Sequence, residues 1–173
     1  MLIIFGGLPG SGKSTIAQAL ALRLQATYLR LDTIEQAIRA ASSLPAGADV
    51  GPAGYVVIYK MAADNLRLGR IVIADSVNSI EITRAAFRAT ATEANRKFIE
   101  IEVTCSDKIV HRHRAESRVS TVEGLIPTTW EQIEARTFEP WAPDLRIDTS
   151  LLSVDESVPE ITNRLKQVDT EQI

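Results

Sequence analysis

Eight consecutive residues, Gly7-Leu8-Pro9-Gly10-Ser11-Gly12-Lys13-Ser14, constrain this chain more than any other feature. They fit the pattern glycine, four free positions, glycine, lysine, serine or threonine at every fixed position. An apolar run, Leu2 to Phe5, stands directly before them and reads as a buried strand. A helical pattern follows from about Lys13 to Leu24, with Ile16, Leu20 and Leu24 on one face. Strand, glycine-rich turn and helix in that order make a phosphate-binding loop. Glycines let the backbone approach an anion closely, and the helix N-terminus supplies N–H donors and positive dipole. A tight structural turn would explain the glycines but not the Lys-Ser pair. The candidate nucleotide-binding residues are therefore Gly7, Gly10, Ser11, Gly12, Lys13, Ser14 and Thr15, for ATP or GTP. Lys13 would meet the β- and γ-phosphates, and the Ser14 hydroxyl would hold Mg²⁺.

The rest of the chain alternates strand and helix signals, which argues for an α/β fold on a mostly parallel sheet. Further strands are expected at Thr27–Leu31, Ile71–Ala74, Phe98–Val103 and Leu145–Ile147. Phe98–Val103 alternates, so one of its faces is expected to be half covered. Thr33 with Gln36, Thr128 with Glu131, and Ser153 with Glu156 read as capping boxes that open helices. Ser42–Gly54, with two prolines and three glycines, reads as a loop. No linker divides the chain, so residues 1–173 are expected to form one domain.

Composition excludes some classes. Apolar residues make up 45% and charged residues 24%, the balance of a globular chain. The net charge of −3 lacks the basic excess of a nucleic-acid binder. The single cysteine, Cys105, allows no intrachain disulfide and fits a reducing compartment. The first residues form neither a leader nor a membrane span, so the expected location is cytoplasmic.

Ligands of open α/β sheets bind outside the carboxyl ends of the strands. Asp32 is expected to end the second strand and Asp75 the third, both facing the loop. A phosphoryl-transfer site wants two such carboxylates, one at the metal and one accepting the proton of an attacking hydroxyl. Asp32 also has a plainer reading, as the cap of a helix beginning near Thr33. Arg112, Arg114 and Arg118 lie on one expected helix, and arginine suits the charge that spreads over a transferring phosphoryl group. The stretch after them, within about 115–128 and containing Gly124 and Pro127, reads as a lid.

With these motifs the chain resembles the small P-loop kinases of the nucleoside-monophosphate-kinase type. The likeness is to the branch holding adenylylsulfate kinase, chloramphenicol phosphotransferase, zeta toxins and the kinase domain of polynucleotide kinase, together with small bacterial "AAA-family ATPase" kinases. It runs from about Leu2 to Leu165. The resemblance implies a five-stranded parallel sheet in the order 2-3-1-4-5 with helices on both faces. It implies Asp32 as base or orienter of the acceptor hydroxyl, Asp75 as the family's aspartate after the third strand and so the candidate at Mg²⁺, and Arg114 or Arg118 as the lid arginine; Arg112 is a candidate nucleotide contact from the arginine-rich helix alone. Glu35 stands where polynucleotide kinases carry an arginine for a substrate phosphate. The expected activity is transfer of the γ-phosphoryl of ATP to a hydroxyl of a small molecule, with neither nucleic acid nor membrane as partner. A nucleotide switch or ATPase acting on a protein, and a polynucleotide 5′-kinase, are the competing readings.

Overall fold

The computed structural model describes residues 1–45 and 48–170. Five strands form one parallel sheet: β1 (Leu2–Gly6), β2 (Thr27–Arg30), β3 (Val72–Asp75), β4 (Phe98–Thr104) and β5 (Leu145–Asp148). Their spatial order is β2-β3-β1-β4-β5, as the resemblance implies. The helices are α1 (Lys13–Leu24), α2 (Leu31–Ala41), α3 (Ala53–Arg67), α4 (Glu81–Glu93), α5 (Lys108–Ser117), α6 (Trp130–Glu134) and α7 (Val154–Thr170).

The alternation of side chains along β1 explains why that strand is apolar throughout. Ile3 and Phe5 face a core made with Ile16 and Leu20 of α1 and Ile161 and Leu165 of α7. Leu2 and Ile4 face the other core, made with Ile58 and Leu66 of α3 and Phe87 of α4. Both faces of the central strand are thus covered, as parallel sheets require. The chain leaves β1 toward β2 and returns to the other side of β1 at β4. The reversal of strand order opens a crevice at the carboxyl ends, and the loop 7–12 lies there.

Three sequence expectations are corrected. Helix α2 begins at Leu31, two residues before Thr33, and the Thr33–Gln36 box does not open it. Arg30 is the last strand residue, paired with Asp75 of β3, and it caps α2 in an extended conformation without a side-chain bond. Leu31 turns straight into the α3-side core, 6% exposed, and its burial fixes the start of the helix. Asp32 therefore stands in the first turn of α2, where the helix dipole favours a carboxylate, and not at the end of a strand. The box at α6 is Thr129 with Gln132, one residue later than Thr128 with Glu131. The face of β4 expected to be half covered is so, with Phe98 and Glu102 partly exposed; between them Glu100 is 6% exposed and accepts hydrogen bonds from Arg88 (2.9 Å) and Trp141 Nε1 (3.2 Å). The Ser153–Glu156 box is present, with Glu156 N donating to Ser153 Oγ at 3.3 Å and Ser153 N to the Glu156 carboxylate at 2.9 Å.

Candidate active site

The loop between β1 and α1 has the backbone its glycines permit. Gly7 adopts φ 141°, and a Cβ there would lie 2.1 Å from the Val103 carbonyl oxygen, so no other residue fits. Gly10 adopts φ 83° and packs against Ala115 and His111 of α5, where a Cβ would come within 3.0 Å. Gly12 caps α1, leaving the first N–H groups of the helix without side-chain partners. The Ser11 hydroxyl is buried in the loop and has no hydrogen-bond partner among the described residues. Orphan donors around a concave backbone are what a phosphate group satisfies.

Lys13 and Asp75 form one buried unit. Lys13 Nζ donates to Asp75 Oδ1 at 2.7 Å, and their side chains are 9% and 1% exposed. Tyr28 of β2 donates its hydroxyl to Asp75 Oδ2 at 2.6 Å. Burial alone would push the Asp75 carboxyl up. The adjacent Lys13 charge, and hydrogen bonds from Lys13, Tyr28 and Ser14, outweigh it and hold the group below its ordinary value. Burial, reinforced by the Asp75 charge, pushes the Tyr28 phenol well up, so it stays a donor. Asp75 thus stands beside both Lys13 and Ser14 at the end of β3.

A cavity of about 840 Å³ opens from the loop across the carboxyl ends of the strands. Gly10, Gly12, Lys13, Ser14 and Thr15 line one end, and Asp32, Glu35 and Tyr55 line another part. Arg114 and Arg118 both face it, as do residues 119–121 and 125–128 of the segment expected to be a lid. Arg114 donates to Thr149 Oγ1 at 2.8 Å and to the Thr149 carbonyl at 3.2 Å. The Thr149 hydroxyl in turn reaches the Ser11 carbonyl at 2.8 Å, so this arginine is tied to the phosphate loop through one residue. Arg112 departs from expectation. It is exposed, pairs with Glu116 at 2.8 Å one turn on, and does not line the cavity. The 3.6-residue period sends it to the opposite face of α5 from Arg114.

Several residues of the site carry no sequence motif. Arg30 lines the cavity, donates to Thr121 Oγ1 at 3.0 Å and approaches Asp32 at 3.5 Å. Its Nε is buried without a partner among the described residues. Arg39 lies 3.7 Å from Glu35, and Arg136 lines the same region. Burial raises the Glu35 carboxyl, with Asp32 and Asp49 adding to it against Arg39 and Arg136. His111 is buried and donates from Nε2 to the Pro9 carbonyl at 2.8 Å. Its ring stands edge-on to Trp130, with centroids 5.1 Å apart. Arg84 is fully buried away from the cavity. It bonds the carbonyls of Glu139 and Pro140 and lies over the ring of Trp141. No helix among the described residues is long and apolar enough to cross a membrane.

Known proteins share this fold. Over 174 residues the chain is 28% identical to the adenylyl-sulfate kinase of Prochlorococcus marinus, covering 98% of this chain and 85% of that one. A crystal structure of a Chloroflexus aurantiacus protein superposes with a TM-score of 0.73 at 22% identity, covering 94% of this chain and 97% of the other. The Mycobacterium tuberculosis APS kinase, in complex with AMPPNP and APS, gives a TM-score of 0.64 at 19% identity over 95% of this chain and 96% of its own. The two structures share the fold, and the likeness of sequence agrees with the kinase resemblance drawn from the loop and the aspartates. The family model described as the AAA domain matches residues 2–140, most of the chain, and the chain belongs to that family.

Proposed function

We propose that this protein transfers the γ-phosphoryl group of ATP to a hydroxyl of a small molecule, with Mg²⁺. The observation that carries the reading is one cavity lined by phosphate-loop residues, by Arg114 of α5 and Arg118 at its end, and by an aspartate at a helix N-terminus. About 840 Å³ is room for nucleotide phosphates and a small acceptor together. The similarity to adenylyl-sulfate kinase supports the same class of reaction.

The loop amides, the Ser11 hydroxyl and Lys13 bind the β- and γ-phosphates. Arg114, fixed by Thr149, and Arg118 face the transferring group and balance charge that spreads over its oxygens. The donor set beside Lys13, the Ser14 hydroxyl and the ionised Asp75 carboxylate, fits Mg²⁺. When bound, that ion supplies charge neutralisation on the phosphates. Asp32 accepts the proton of the acceptor hydroxyl. The hydroxyl oxygen bonds to the γ-phosphorus, the bond from that phosphorus to the β–γ bridging oxygen breaks, and ADP leaves. The lid is the segment 118–128, which excludes water once both substrates are in place.

A transfer screen with γ-labelled ATP, Mg²⁺ and panels of sugars, sugar acids, nucleosides and antibiotics tests the reading. A labelled small product is expected. Labelling of oligonucleotides alone, or ATP turnover that rises only with a macromolecule, would overturn it.

A further inference from the structure

Asp75 has two carboxylate oxygens, and a side chain holds each of them. Oδ1 accepts from Lys13 Nζ at 2.7 Å, and Oδ2 accepts from the Tyr28 hydroxyl at 2.6 Å. Lys13 belongs to the phosphate loop, where the reaction needs it. Tyr28 carries no sequence motif. It lies on β2, at the edge of the sheet, and is not one of the residues lining the cavity. Its ring packs against the core between the sheet, α1 and α7, yet its hydroxyl closes one side of the carboxylate.

The register of the sheet brings it there. Tyr28 is paired with Ile73 of β3, and Asp75 stands two residues further along β3, on the same face. The phenol leans along the strand direction and so reaches the carboxylate. A slip of one residue in β2 would turn the side chain to the other face and lose the bond. The two partners of Asp75 do different things. An ammonium is a compact point charge and leaves the plane of a carboxylate free to turn. A second bond, on the other oxygen, fixes that plane. Oδ1 then stays on the side of Lys13 and Ser14, whose side chains approach each other at 3.4 Å.

Resting on the kinase reading, in which Ser14 and Asp75 are the donors for Mg²⁺, we infer that Tyr28 is a positioning residue: its hydroxyl fixes the plane of the Asp75 carboxylate and so sets which divalent cation the nucleotide site accepts. Mg²⁺ demands near-ideal octahedral geometry, whereas Ca²⁺ accepts irregular sets of oxygen ligands. A carboxylate free to turn attracts either cation by its charge but suits only the tolerant one. The charge at this site comes from Asp75, and the selectivity comes from Tyr28.

Tyr28→Phe removes one oxygen and keeps the ring in the core. A fluorescent, non-hydrolysable ATP analogue reports nucleotide binding in EDTA, in Mg²⁺ and in Ca²⁺, with no acceptor present. The Mg²⁺ concentration that half-saturates the tightening of the analogue should rise about tenfold in Tyr28→Phe, the worth of a hydrogen bond to a charged group. The corresponding Ca²⁺ concentration should move much less, and the affinity in EDTA should stay near wild type. In a transfer assay, excess Mg²⁺ should restore most of the turnover lost at low Mg²⁺, with the KM of the acceptor unmoved.

A Mg²⁺ requirement equal to wild type would overturn the inference. So would a loss that Mg²⁺ and Ca²⁺ share equally, which would make the hydroxyl a strut of the fold. Either result leaves the kinase reading standing. A loss specific to Mg²⁺ in the binding measurement, with no compound phosphorylated in the transfer screen, would support the role of Tyr28 and sink the kinase reading alone.

Discussion

In the proposed reaction Lys13 and Asp75 serve both the fold and the chemistry. Their ion pair is buried, and removing one member leaves an uncompensated charge in the interior. Lys13→Ala should therefore lower unfolding free energy by about 3–5 kcal/mol as well as turnover by about 10²–10³-fold. Urea denaturation beside a transfer assay checks both. A fully active mutant would remove the phosphate-loop argument, and a mutant of unchanged stability would remove the structural one. Asp32 behaves differently because its carboxylate is partly exposed at the start of α2 and its ion pair with Arg30 is a long 3.5 Å. Asp32→Asn should lower kcat by about 10²–10⁴-fold while the affinity for nucleotide stays near wild type, as expected for a group acting on the acceptor. Equilibrium binding of a fluorescent ATP analogue, set against kcat, separates these effects. A mutant that loses nucleotide binding would place Asp32 on the wrong substrate.

At the scale of elements, the phosphate loop and its flanking strand and helix were legible in the sequence, while the order of the sheet followed from the family resemblance. Their determinants are local: Leu2 to Phe5 are apolar on both faces, the glycines admit one kind of turn, and Lys13 and Ser14 follow at fixed spacing. Asp75 was legible for the same reason, as the last residue of a short buried run. The start of α2 was not. Thr33 and Gln36 make a good local cap, yet burial of Leu31 against the α3-side core starts the helix earlier, so tertiary packing overrides the local signal. Arg30, Arg39 and Arg136 were missed because nothing in their neighbours marks them. They meet only when β2, α2 and the segment after α6 come together around the cavity. The segment 118–128 belongs to this scale too. It holds Arg30 through Thr121 and otherwise makes irregular turns between α5 and α6. Amide exchange across 118–128 should slow when nucleotide and acceptor are both bound, and by much less with nucleotide alone. Identical exchange in all states would argue against its being a lid.

In the whole molecule, the piece of chain from 137 to 144 is pinned far from its neighbours in sequence. Arg84 of α4 is the pin. It reaches the carbonyls of Glu139 and Pro140 and stacks on Trp141, while Trp141 bonds Glu100 of β4. Glu100 also receives Arg88, and Arg88 pairs with Glu81, so α4, β4 and this segment share one polar network. Arg84→Ala should cost about 2–5 kcal/mol, chiefly through the cavity left beneath Trp141. A shift in the urea midpoint measures this, and a change within experimental error would show that the segment is held by other means.

The two tryptophans of this chain both lie near the phosphate loop. Trp141 lies over Gly6, so close that a Cβ there would come within 2.4 Å of its ring. Trp130 stands against His111, which holds the Pro9 carbonyl. The protein therefore carries its own optical probe. Indole emission should respond to nucleotide with no attached label, and Trp130→Phe and Trp141→Phe should divide the signal between the two rings. Stopped-flow records of that emission would time the filling of the loop directly. An emission spectrum indifferent to saturating ATP and Mg²⁺ would mean that the loop accepts phosphate without disturbing either ring.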